Sequence, residues 1–208
     1  MKSYTHPPGR DEAACLDALY HEIKDCQRCP LARSRSQVVM GAGRCDAEIV
    51  FVGEAPGYHE DVQGIPFVGS AGKLLTELLE SIGIRREDVY ITNVNKCKPP
   101  ENRTPTAEEV KACKPYLERQ IEIIKPRVLC PLGNNAAQTL LGKRVSISKV
   151  RGRPFEVNGR IVFPMLHPAA ALHLGTRMED VREDFRNLQS FLKTDPRPQP
   201  QPQQMELF

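Results

Sequence analysis

The chain has 208 residues, 40% of them hydrophobic and 26% charged, enough apolar side chains to bury one sizeable core. Lys and Arg total 29 against 26 Asp and Glu, a net charge of +3 that neither demands nor forbids a polyanionic partner. No apolar run approaches the roughly 20 residues that a membrane helix needs, and residues 1–8 carry no apolar stretch after their positive charge, so a cytoplasmic protein with no membrane contact is expected.

In chain order, residues 1–10 read as a flexible N-terminus and 12–24 as a helix. Residues 41–43, Gly-Ala-Gly, are too short for a dinucleotide fingerprint and follow no strand, so they read as loop. The β-branched run at 48–52 is the first strand. A helix over 70–82 aligns Leu74, Leu75, Leu78, Leu79 and Ile82 on one face, and 89–92 is the second strand. Helix 106–124 opens on Thr106-Ala107-Glu108-Glu109, a capping box. Strand 127–131, helix 134–141, strand 161–166 and helix 178–192 complete the set. This alternation predicts an α/β domain over 11–194 with a central, mainly parallel four-stranded sheet. Residues 195–208 alternate Pro and Gln, which supplies neither a core nor a ladder of donors, and read as a disordered tail.

In an open parallel sheet ligands bind beyond the carboxyl ends of the strands. Here those ends lead into Gly53-Glu54-Ala55-Pro56-Gly57, Asn93-Val94-Asn95, Gly133-Asn134-Asn135 and His167-Pro168-Ala169-Ala170. Each piece alone reads as a turn or a cap; together they would address one crevice.

Seven cysteines are an odd count, and a reducing compartment disfavours disulfides. Cys26 and Cys29, two residues apart, with Cys97 and Cys113 offer four thiolates from two segments, a set for zinc or an iron–sulfur cluster. Spacing does not choose between them, and unliganded buried thiols are the third reading. Cys15, Cys45 and Cys130 are left over, Cys130 inside an apolar strand. Around the four lie Arg28, Arg33, Arg35, Lys96, Lys98, Arg103, Lys111 and Lys114, a phosphate-contacting face or an ordinary solvated surface.

Taken together, the Cys-x-x-Cys pair, Gly-Glu-Ala-Pro-Gly, Pro66-Phe67-Val68-Gly69, the run from Ile91 to Cys97 and His167-Pro168-Ala169-Ala170 resemble the family 4 uracil-DNA glycosylases over about residues 26–192. The resemblance implies a three-layer α/β/α fold, a structural 4Fe-4S cluster on Cys26, Cys29, Cys97 and Cys113, and hydrolysis of the N-glycosidic bond of a flipped-out deoxyuridine in DNA, the start of base excision repair. It implies a base site of Gly53, Ala55, Phe67, Asn93 and His167, with Phe67 stacking on the base, Asn93 reading its edge and His167 donating to O2. In the best-known branch of the superfamily an Asp helps to position the attacking water; Ala55 stands there in this chain. Glu60 is the favoured substitute and Glu54 is assigned to pocket organisation. Gly57 stands where that branch has a Tyr blocking the thymine methyl, which leaves Tyr58 or Glu54 for that task. Residues 169–177 read as a loop entering the duplex, with Leu172, His173 and Leu174 as its contacts; a helix start with core leucines is the competing reading.

The last five residues resemble the peptide by which bacterial repair proteins dock on the sliding clamp, with Gln204, Leu207 and Phe208 as contacts. The protein is expected to be a monomer. Two other functions compete. One is covalent uracil capture, which in a related branch uses a His in the loop after the Asn motif; residues 97–105 contain none. The other is an iron–sulfur redox or electron-transfer protein.

Overall fold

The computed structural model describes residues 10–174 and 177–194. Their elements in order are α1 (Arg10–Ile23), β1 (Ala42–Gly43), β2 (Ile49–Gly53), α2 (Tyr58–Gln63), α3 (Ser70–Ser81), β3 (Tyr90–Asn93), α4 (Ala107–Ile124), β4 (Val128–Pro131), α5 (Asn134–Leu141), α6 (Ile147–Val150), β5 (Phe155–Val157), β6 (Arg160–Val162), α7 (Ala169–Leu174) and α8 (Met178–Thr194), with short 3-10 turns between some of them.

The sheet has six strands in the order β1-β3-β2-β4-β6-β5, which corrects the expected four. The four anticipated strands form its parallel centre, buried throughout β2, β3 and β4 as a sheet covered on both faces requires. The two extra strands are antiparallel edges. β1, the Gly-Ala-Gly segment read as loop, pairs Ala42 with Ile91 and Gly43 with Tyr90; two residues are too few to carry a period-two pattern. β5 joins β6 through Asn158-Gly159, both at positive φ (50° and 73°), the Asn-Gly turn whose twist suits a hairpin. The last strand is shorter than the expected 161–166 because Pro164 has no N–H to give the ladder. Its register nevertheless continues through Phe163 N to Leu129 O at 2.8 Å and Met165 N to Pro131 O at 2.9 Å.

Helices cover both faces of the sheet. On one, Gln120 of α4 reaches the Tyr90 hydroxyl at 3.0 Å and Thr92 at 3.3 Å, and α1 packs on α4. On the other, Phe185 of α8 stacks on Phe51 of β2 (centroids 6.1 Å apart, planes at 7°), and α3 and α7 pack beside α8. The expected loop at 169–177 is helical as far as Leu174. Gln204, Leu207, Phe208 and the rest of the Pro/Gln tail lie outside the described residues. No helix among the described residues is long and apolar enough to cross a membrane.

The capping box of α4 is formed: Glu109 N donates to Thr106 Oγ1 (3.2 Å) and Thr106 N to Glu109 Oε2 (2.8 Å). The same Glu109, buried at the helix start, is gripped by both terminal nitrogens of Arg103 at 2.8 Å. Thr106→Ala is expected to lower the unfolding free energy by about 1 kcal/mol, read from urea denaturation; an unchanged midpoint would show that the cap contributes nothing.

Candidate active site

At the carboxyl ends of the central strands the chain opens a crevice lined by Glu54, Ala55, Pro56, Gly57, Glu60, Phe67, Ala71, Asn93, Pro99, Asn102, Arg103, His167 and Ala169, with about 990 Å³ of atom-free space, part of it open to solvent. Gly53 and Asn93 close adjacent strands in register. A Cβ at Gly53 would strike Asn93 Oδ1 and lie 2.8 Å from two carbons of the Phe67 ring, so the missing side chain is what lets amide and ring meet over β2. Asn93 is 2% exposed, and no other described residue hydrogen-bonds its amide. Its backbone oxygen accepts from Lys96 Nζ at 2.6 Å. The amide opens on the crevice; the fully enclosed side-chain atoms without a partner among the described residues are Asn95 Oδ1 and Asn135 Nδ2.

His167 lies against Phe67, the ring centroids 5.4 Å apart and the planes at 25°. The segment before it is fixed by Asp184, whose Oδ2 accepts from Leu166 N at 2.7 Å and whose Oδ1 binds Arg151 at 2.6 Å. Ala169 N donates to His167 Nδ1 at 3.1 Å. Nδ1 is therefore the acceptor, and in the neutral ring Nε2 carries the hydrogen. Burial holds the imidazole pKa down to about 4, against a weaker opposing pull from Glu60. At neutral pH the crevice is offered a neutral N–H donor.

The two carboxylates of the crevice differ. Glu60 Oε1 accepts from both Val68 N and Gly69 N at 3.0 Å, and a Cβ at Gly57 would come within 2.8 Å of its Oε2. Glu54 makes no hydrogen bond or ion pair with its side chain among the described residues. Tyr58 is 63% exposed and does not line the crevice. Leu172 of α7 is exposed at 47%; the side chains of His173 and Leu174 lie outside the description.

Cys26, Cys29, Cys97 and Cys113 line one further pocket, between α1, α4 and the segment after β3, with about 320 Å³ of atom-free space, part of it open to solvent. Among the described residues no group of three or more His, Cys, Asp or Glu is arranged to hold a single metal ion. Zinc needs four thiolates within about 2.3 Å of one point, an arrangement these sulfurs do not make; a multi-atom cluster is held by thiolates set farther apart. Polar hydrogens already point at the sulfurs: Lys96 N at Cys113 (3.2 Å), Arg35 Nη1 at Cys97 (3.3 Å) and the Tyr116 hydroxyl at Cys26 (3.4 Å), as thiolate sulfurs require. Burial pushes the Cys97 thiol up to about 11 and the Cys113 thiol upward, so a metal bound there would have to displace their protons. The residues fit the cluster.

Several of the eight basic residues named as a phosphate face already make contacts within the protein. Lys96 is 2% exposed, Arg35 turns inward onto Cys26 O and Cys97, Arg28 lies over the Tyr116 ring at 5.2 Å, and Arg103 is held by Glu109. The sequence reading also passed over Arg86, which donates to the carbonyl of Phe67; nothing in its local pattern marks it.

A model of the uracil DNA glycosylase superfamily matches residues 40–189. A type-4 uracil-DNA glycosylase of Archaeoglobus fulgidus is 50% identical over 181 residues, covering 83% of this chain and 91% of that protein. One of Thermotoga maritima is 50% identical over 186 residues (86% and 96%), and one of Saccharolobus solfataricus 46% over 190 residues (87% and 88%).

The depressed His167 pKa has a consequence for stability. Between about 4 and 6.5 the unfolded chain binds a proton that the folded imidazole refuses, so this group's contribution rises with pH across that window, is complete above 6.5 and is lost below 4. Urea midpoints at pH 5 and 7 should differ more in the parent than in His167→Ala; equal differences would contradict the assignment.

Proposed function

The chain belongs to the uracil DNA glycosylase superfamily and to its type-4 group, and from that premise we infer that it excises uracil from DNA by hydrolysing the N-glycosidic bond, opening base excision repair. The single observation that carries the site assignment is the Asn93 amide, free of protein hydrogen bonds and open to the crevice beside Phe67 and the neutral His167.

A base inside a duplex is out of reach, so the nucleotide is flipped out at a cost of a few kcal/mol. Phe67 provides a surface on which the base stacks. Asn93 Oδ1 accepts from uracil N3–H and Nδ2 donates to O4; cytosine presents the reverse pattern and leaves both contacts unmade. The C1′–N1 bond breaks with its electron pair moving to N1 and O2 of the base, while the sugar takes the positive charge. The Nε2–H of His167 donates to O2, where that negative charge collects. Water adds to C1′ and gives up a proton.

The hydrogen bonds favour the opposite division of the two carboxylates from the one the sequence suggested. Glu60 Oε1 holds two backbone N–H groups and so organises the Phe67 loop; Glu54, with no side-chain partner among the described residues, is the group we assign to orient the water and take its proton. With Tyr58 exposed, Glu54 is the residue left to exclude the thymine methyl. Exposed Leu172 suits a contact with the opened duplex. Cys26, Cys29, Cys97 and Cys113 are assigned a 4Fe-4S cluster, whose thiolate bonds would tie the segment after α1 to the segment after β3 and to α4. The absence of His from residues 97–105 supports repeated turnover over covalent capture. Docking of Gln204, Leu207 and Phe208 on a sliding clamp rests on the sequence alone.

On a uracil-containing duplex oligonucleotide, His167→Ala should lower the single-turnover excision rate by roughly 100- to 1,000-fold, and Asn93→Ala should abolish discrimination of uracil from cytosine as well as most activity. Full activity in both variants would overturn the site assignment. Removing the iron with a chelator should bleach the visible absorbance and lower the melting temperature, because cluster binding is then part of the folding free energy. Unchanged melting would remove the cluster's structural role.

A further inference from the structure

We propose that Arg86 is a positioning residue for uracil recognition: with Glu60 it locks the peptide between Phe67 and Val68, and so holds the Phe67 ring in place as the floor of the base site. Phe67 has φ 54°. A bulky L residue in the left-handed region is under strain and persists only where its surroundings over-determine it.

The surroundings do so from three directions. On the carbonyl side, Arg86 Nη2 donates to Pro66 O at 2.9 Å and Phe67 O at 3.0 Å. The other end of the guanidinium is anchored on α3, with Nη1 donating to Gly72 O at 3.2 Å and Thr76 Oγ1 at 3.1 Å. On the N–H side, Glu60 Oε1 accepts from Val68 N. Behind the loop, the backbone of α3 comes so close at Gly72 that a Cβ there would strike the Phe67 carbonyl.

The Phe67–Val68 peptide therefore has a cation on its oxygen and an anion on its hydrogen. Turning it over would point the C=O at the Glu60 carboxylate and the N–H at the guanidinium, two repulsions in place of two charge-assisted hydrogen bonds. Arg86 is largely removed from solvent, and among its charged neighbours Glu60 is the one whose field offsets the cost of that burial. Arg86 opens a 3-10 turn between α3 and β3, away from every motif that touches the base.

This inference rests on the reading of Phe67 as the base platform, and a double-mutant cycle separates the two. Dissociation of free uracil and single-turnover excision are measured for the iron-loaded parent, Phe67→Ala, Arg86→Met and the double variant, with visible absorbance and melting temperature recorded for each. Arg86→Met should weaken uracil binding about 5- to 150-fold, the range that 1–3 kcal/mol of lost positioning represents. Arg86→Lys, which keeps a cation but not the fork, should recover part of it. In the Phe67→Ala background Arg86→Met should change uracil binding less than about twofold. If the two losses multiply, Arg86 does not act through Phe67 and the inference fails. If Phe67→Ala alone leaves uracil binding intact, the platform reading fails instead. Should Arg86→Met not fold, Thr76→Val, which removes one anchor of the guanidinium, takes its place in the cycle; a smaller loss of the same sign is expected, and no loss would overturn the proposal.

Discussion

The proposed base site depends on one absent side chain. At Gly53, the last residue of the central strand β2, any Cβ would occupy the space in which the Asn93 amide and the Phe67 ring approach each other. Parallel pairing of β2 with β3 puts Gly53 and Asn93 side by side, and the ladder runs on past the strand ends through Val94 N to Gly53 O at 2.9 Å and Asn95 N to Glu54 O at 3.0 Å. The sheet thus delivers a recognition group and an aromatic surface to the same point, while the Glu60 and Arg86 side chains and the close pass of α3 hold the loop that carries the ring. His167 arrives from β6 by a different route and is fixed by Asp184 before it and Ala169 after it. Preorganisation of this kind is what electrostatic stabilisation of a leaving anion requires, since donors already in place need no reorganisation as the charge develops.

The second cavity is coupled to the first through β3. Asn93 ends that strand, and three residues on, Lys96 sends its side chain back to Asn93 O and Thr92 Oγ1 while its backbone N–H points at the Cys113 sulfur. A single buried residue thus joins the cysteine wall to the backbone of Asn93. Basic residues crowd this region of the sequence, yet several of them serve the cavity or the fold. Charge clustering in a sequence marks a neighbourhood; burial decides whether a cation there faces a phosphate or a sulfur.

Much of the architecture was legible because buried parallel strands announce themselves as short β-branched runs and because α4 begins with a capping box. The edge strands were not, for different reasons: β1 has two residues and no pattern, whereas β5 and β6 flank an Asn-Gly turn that does signal a hairpin. Asn93 and His167 could be placed at strand ends from the sequence pattern, while Phe67 and the roles of all three followed only from the family resemblance. The tautomer of His167 could not, since it hangs on the Ala169 N–H. Nor could the work of Glu60 and Arg86, because a residue that acts on another residue's backbone leaves no spacing to read: Arg86 meets Phe67 only after α3 folds back across the loop.

The most direct measurement is a crystal structure of the iron-loaded protein with free uracil bound. The base should lie on the Phe67 ring, with the Asn93 amide paired to its N3 and O4 edge and His167 Nε2 within hydrogen-bond distance of O2. Uracil held in another cavity, or those three side chains directed away from a common ligand, would contradict the account.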